Sequence, residues 1–165
     1  MVWLRLLHIV AGTVWVGSAV FGALFLLPTA RVAGPEAGRF VGRLMQRMGP
    51  AMGIAMLLTV VPGFIMFGRL SGGFNRAWAL SPTGLALGTG AGATVVAVVL
   101  GVALSAPAGA KLAALRKRLE SQGGTPTAVE ATQLAQWQSR IERGAQITAG
   151  FLVVAASAMA VARYL

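Results

Sequence analysis

Four apolar runs, continuous rather than alternating, dominate the 165-residue chain: residues 3–28, 49–68, 83–105 and 144–165. Each is near or above the roughly 20 residues that a helix needs to cross a hydrocarbon core about 30 Å thick. Lipid offers the backbone no hydrogen-bond partners, so a spanning segment is either a helix or a strand of a closed barrel. Continuous apolar runs select the helix. The pattern predicts an all-α fold: one integral membrane domain over residues 1–165, a four-transmembrane-helix bundle. The first run is longer than the roughly 7–15 apolar residues of a cleaved leader, has only Arg5 near its start and lacks a small-x-small cleavage site. It reads as a retained helix.

The polar stretches between the runs keep helical spacing. Gly34-Pro35-Glu36 is a helix start, with proline and an acid in the first turn. Phe40, Leu44, Met48 and Met52 then recur every fourth residue, so the second helix begins before the membrane, and Pro50 should kink it near the interface. Leu112, Leu115 and Leu119 extend the third helix, with Pro107 bending it, Lys111, Arg116, Lys117 and Arg118 solvated, and Gly123-Gly124 ending it. Thr127 with Glu130 fits a capping box, and Thr125 before Pro126 is an equally good cap. Leu134, Trp137, Gln138 and Ile141 carry that helix into the fourth run. The bundle therefore has helical cytoplasmic extensions.

Charge orients it. Arg31, Arg39, Arg43 and Arg47 lie between the first and second runs, and Lys111, Arg116, Lys117, Arg118, Arg140 and Arg143 between the third and fourth. Only Arg69 and Arg76 lie between the second and third. The positive-inside rule puts the first and third connections in the cytoplasm and both termini outside, on the periplasmic face of a bacterial-type inner membrane. Arg5 and Arg163 weaken this contrast without reversing it.

Composition agrees. Charged residues make up 11% of the chain, against about 25% in soluble domains, and the mean hydropathy is +0.75. The net charge of +10 belongs to topology and anionic headgroups rather than to nucleic acid, since no basic stretch is interleaved with aromatics. With no cysteine, disulfides, thiolate metal sites and Cys-linked haem are excluded. Glu36, Glu120, Glu130 and Glu142 are the only acids, all outside the runs, so there is no intramembrane carboxylate relay for pumping or cation-coupled transport. No Ser-His-Asp arrangement, zinc motif or phosphate loop is present.

One residue carries candidate chemistry. His8, the only histidine, lies in the first turns of the first run, about 7–8 Å along the helix from Trp3. Ionisable residues in spans usually face the bundle interior and mark function, and neutral imidazole is a common metal ligand. Gly12 and Trp15, four and seven residues on, share its helix face: a gap with no side chain, then a flat ring. Arg5 could neutralise an anionic group such as a haem propionate. The alternative is a histidine that bonds a neighbouring helix or water. A second ligand at this level would be Met159 or Met66. Met45, Met48, Met52 and Met56 line one face of the second helix at the opposite end, as core filler or as soft Cu(I) donors. Gly84, Gly88 and Gly92 form overlapping GxxxG steps that suit close packing, a dimer contact or a flat ligand.

The stretch Leu7-His8-Ile9-Val10-Ala11-Gly12-Thr13-Val14-Trp15-Val16-Gly17 resembles the first helix of the copper-resistance protein D-like membrane group and of HemJ-type protoporphyrinogen oxidases. The close resemblance covers about the first 28 residues. The HemJ type implies haem b on the first-helix histidine, here His8, and the copper-resistance type implies copper handling across the membrane. The intramembrane lysine of the HemJ type has no counterpart here, as Lys111 lies at or beyond the inner end. What carries over is a His-ligated cofactor site rather than a named reaction. The leading expectation is a haem b-binding redox protein, a membrane haem oxidoreductase or electron carrier. His8 would be the axial ligand, Gly12 and Trp15 the lining, Arg5 the propionate partner and Met159 or Met66 the sixth ligand. It would work as a homo-oligomer with quinone or a periplasmic redox partner. The alternatives are a copper-handling protein and a cofactor-free scaffold subunit.

Overall fold

The computed structural model describes residues 1–123 and 125–165. It is 91% helical, and the described residues contain no strand. Among the described residues, four helices are long and apolar enough to cross a membrane. They are α1 (Val2–Val32), α2 (Pro35–Leu70), α4 (Pro82–Gln122) and α5 (Ala128–Val161); a short α3 (Arg76–Ala79) sits between α2 and α4. The chain is a multi-pass membrane protein with an all-α, four-helix architecture.

The pattern of burial is that of a protein in lipid. The buried apolar positions are mostly alanines, among them Ala11, Ala23, Ala55, Ala93, Ala97, Ala149 and Ala155, with Leu152 the largest fully buried apolar side chain. Phe21, Leu24, Phe25, Ile54, Phe64, Val95 and Val99 point outward. Such a surface would aggregate in water, whereas small residues at the seams let membrane helices approach closely. The close seams run in the order α2–α1–α5–α4.

The helix ends show which connections lie together. Arg31 at the end of α1 pairs with Glu142 of α5 at 3.4 Å, and Arg116 of α4 reaches Gly38 of α2, so the α1–α2 and α4–α5 connections share one end. Ten of the 14 cations and all four acids lie at that basic end. The termini and residues 71–81 form the other end, where the Phe67 and Trp78 rings meet edge to face at 5.4 Å. In that turn Gly72, Gly73 and Phe74 all have left-handed φ values. Phe74 is held there by its N–H to Ser71 Oγ at 2.8 Å and by tilted ring contacts with Phe64 and Phe67.

The prolines act in two ways. Before Pro28 and before Pro107 the helix widens into a π turn, Gly22–Leu26 and Gly101–Ser105. In each the residue preceding proline bonds a carbonyl five back: Leu27 to Gly22 and Ala106 to Gly101. The wide turn makes room for a ring that would strike the carbonyl four back. At Pro107, where a bend is expected, the helix carries this bulge. By contrast α2 runs through Pro50 and Pro62 as one α-helix of 36 residues. Past the membrane, Gly123 closes α4 with left-handed φ, while Gly124, expected to share that role, lies outside the described residues. Thr127, not Thr125, caps α5, in the full capping box with Glu130.

One expectation is overturned at the basic end. Arg116, expected to be solvated, is half-buried, and its Nη1 donates to the Gly38 carbonyl at 3.0 Å. A Cβ at Gly42 would lie 3.0 Å from that nitrogen, and one at Gly38 3.4 Å from Nη2. The two glycines form a notch that admits the guanidinium, and in it α4 docks on α2.

Candidate functional site

His8 is half-buried in the α1–α2 seam, where its Nδ1 lies 2.6 Å from the Thr59 carbonyl oxygen. A carbonyl has no hydrogen to give, so Nδ1 carries the proton and donates it. In the neutral imidazole the lone pair is then on Nε2. The acceptor lies on the helical turn just before Pro62. Proline cannot return an N–H to the Leu58 carbonyl, whereas the Thr59 carbonyl is the i−4 partner of Gly63 in the continuous helix and takes the His8 proton on its second lone pair. The bond gives the imidazole N–H a partner that lipid could not. Gly63 completes the contact: a Cβ there would lie 2.8 Å from His8 Cε1 and 3.0 Å from Nδ1. The Thr59 hydroxyl turns away, donating to the Ala55 carbonyl at 2.7 Å.

Gly12 lies at the same seam, but it does not leave a gap. A Cβ there would meet Thr59 Cγ2 at 3.4 Å, so the space expected to admit a flat macrocycle is filled by the threonine methyl. Trp15 is half-buried and Arg5 is exposed, with no ion-pair partner among the described residues. Met66 is half-buried on the face of α2 that carries Thr59 and Gly63, three residues beyond Gly63. Met159 belongs to another seam: a Cβ at Gly90 would come within 3.0 Å of its Cγ, which packs it between α4 and α5. The structure thus brings His8 and Gly12 together on Thr59, with Met66 on the same α2 face, while the described contacts of Met159 are with Gly90.

Thr59, Pro62 and Gly63 were absent from the sequence-based site. Their signal was the Thr59-Val60-Val61-Pro62-Gly63 stretch, where a glycine one turn after Thr59 clears space on the same helix face. The GxxxG expectation also changes. Among the described residues Gly88 and Gly92 have nothing within 4 Å of an added Cβ, and the seam is made by Gly90, two residues out of that register. Gly84 is packed locally against Trp78 and Ala79. Of the α2 methionines, Met48, Met52 and Met56 are half-buried and Met45 is exposed. Among the described residues no three His, Asp or Glu side chains gather in a metal-binding group, which leaves any metal at this site to His8 with sulfur or outside donors.

No family model, curated protein or solved structure matches this chain.

Proposed function

We propose that this protein binds haem b through His8 Nε2 and serves redox chemistry in a bacterial-type inner membrane, with both termini outside. The observation that supports this reading is the His8 Nδ1–H bond to the Thr59 carbonyl. A histidine that holds a metal almost always donates its other ring N–H to a fixed acceptor, which sets the tautomer and orients the ring. A backbone oxygen beside an intramembrane proline is such an acceptor. The fit has two sides: the donor chemistry suits an axial ligand, but the Gly12 notch is closed by Thr59. A macrocycle must therefore approach His8 from outside the α1–α2 seam, with a second copy of the chain as cover. Arg5, exposed one turn before His8, is free to hold a propionate. The group would supply one-electron chemistry when bound, exchanged with quinone or an outer redox partner, while His8, Thr59 and Gly63 hold the ligand nitrogen.

The test is the absorption spectrum of the purified protein, as isolated and after dithionite, for wild type, His8→Ala and His8→Asn. The asparagine amide can still donate to Thr59 but offers no imidazole. The expected result is a Soret band that shifts on reduction in wild type and is lost in His8→Asn, whose thermal stability is retained. A flat wild-type spectrum after expression with ample haem overturns the reading.

Copper is the second reading. Met66 shares the α2 face with Thr59 and Gly63, which contact His8, so an imidazole nitrogen and a thioether could serve one Cu(I). This reading predicts near-stoichiometric copper that is lost in both His8→Asn and Met66→Leu.

A further inference from the structure

The basic end carries a groove that the cofactor reading leaves unused. It is an open depression of about 480 Å³ between α4 and α5, beyond their apolar sections, and is lined by Lys111, Arg118, Gln133, Gln136 and Trp137. Lys111 Nζ stands 4.8 Å from the centroid of the Trp137 ring, and the Arg140 guanidinium 5.4 Å. Two cations are thereby gathered on one aromatic side chain.

Their pairing decides what they can bind. Arg118 is taken by Glu130, while Lys111 and Arg140 make no ion pair among the described residues. Their positive charge is open to an outside anion. Their depth narrows the choice. Lys111 is the first charge after the third apolar run, and Arg140 and Arg143 are the last cations before the fourth. By helix rise Lys111 and Trp137 lie about two turns or less from the apolar sections, within reach of the headgroup layer for long side chains. Tryptophan is enriched at that level. Ala114 and Leu115 give the groove an apolar wall that a free inorganic anion would not use. Gln133 and Gln136 offer amide N–H donors to ester or glycerol oxygens.

We infer that this groove binds the headgroup of an anionic phospholipid, with Lys111 on its wall and Arg140, beside it at the Trp137 ring, holding the phosphate. The site is independent of His8 and stands whether or not the protein carries a cofactor.

The experiment titrates the detergent-solubilised full chain with phosphatidylglycerol, phosphatidylcholine or inorganic phosphate and follows thermal unfolding. Phosphatidylglycerol is expected to raise the midpoint in a saturable way, and the other two are not. Near a membrane each cation contributes about fivefold in affinity, so Lys111→Gln with Arg140→Gln should weaken the phosphatidylglycerol response roughly thirtyfold. Arg39→Gln with Arg43→Gln, which removes the same charge elsewhere at this end, should leave it within about twofold of wild type. Equal responses to both lipids, an equal response to inorganic phosphate, or equal losses in the two double variants would each overturn the inference. A second readout needs no charge variant. Brominated phosphatidylglycerol should quench the Trp137 emission, obtained by difference from Trp137→Phe, more than brominated phosphatidylcholine does. Equal quenching overturns the site.

Discussion

Gly63 is the floor on which the His8 imidazole lies: a Cβ at this position would come within 2.8 Å of His8 Cε1 and 3.0 Å of Nδ1. The ring cannot retreat without giving up its 2.6 Å bond to the Thr59 carbonyl. One glycine in α2 thus sets the position of the only histidine, which is carried by α1.

Gly63→Ala should therefore destabilise the α1–α2 seam by about 1–3 kcal/mol, the usual cost of overpacking. The diagnostic measurement is a double-mutant cycle on thermal unfolding in detergent. In the His8→Ala background the clash is gone and the alanine should cost little. An equal cost in both backgrounds would mean that the two residues do not press on each other.

The α4–α5 seam yields a contrast within one helix. An added Cβ at Gly90 meets Met159 Cγ at 3.0 Å and the Ala155 carbonyl oxygen at 3.1 Å, and that oxygen belongs to a helix backbone that cannot step aside. Gly90→Ala should cost about 1–3 kcal/mol. Gly88→Ala and Gly92→Ala enter open space and should be neutral or mildly stabilising, because alanine is the better helix former. If Gly88→Ala or Gly92→Ala proves as damaging as Gly90→Ala on thermal unfolding, those positions face a partner copy.

These contrasts mark how far the sequence could be read. The four helices, their extension past the apolar runs and the Thr127–Glu130 capping box were legible because each depends on local spacing and residue type. The Gly90 seam and the Arg116 notch were not, because they depend on which helix lies opposite, and a row of glycines looks alike from either side. The expectation for His8 was half legible. A bond to a neighbouring helix was one of the two readings of this histidine, but its acceptor is the backbone oxygen of Thr59, 51 residues on, which no side-chain motif announces. The two π turns did leave a trace. Gly22 and Pro28 repeat the six-residue spacing of Gly101 and Pro107, and in both cases the bulge begins at the glycine.

The docking of Arg116 can be broken from either side. Its Nη1–H bond to Gly38 and its passage over Gly42 tie α4 to α2. Arg116→Ala should cost about 1 kcal/mol, since a charged donor is lost from a half-buried site. Gly42→Val should produce a similar loss by filling the notch. Hydrogen exchange should quicken over residues 36–42 and 112–122 in both variants while the apolar sections stay protected. Unchanged exchange at those residues would show the notch to be incidental.

Glu130 makes the start of α5 sensitive to acid. It accepts from the Thr127 backbone N–H at 3.0 Å and from the Thr127 hydroxyl at 2.9 Å, and it pairs with Arg118. The Thr127 bonds first, and the Arg118 charge after them, hold its carboxyl below the usual glutamate value. A carboxyl lowered by folding stabilises the folded form above its ordinary pKa of about 4.3, and that contribution is lost as pH falls through the lowered value. The capping turn should therefore stay closed at pH 5–8 and fray at about pH 4 and below, well outside the membrane section. Amide exchange at Ala128–Ala131, corrected for its intrinsic pH dependence, should lose protection in that window in wild type. Glu130→Gln keeps a capping side chain but has no charge to titrate, so its protection should be weaker and flat with pH. A wild-type profile as flat as that of Glu130→Gln would mean that the carboxylate does not hold the cap.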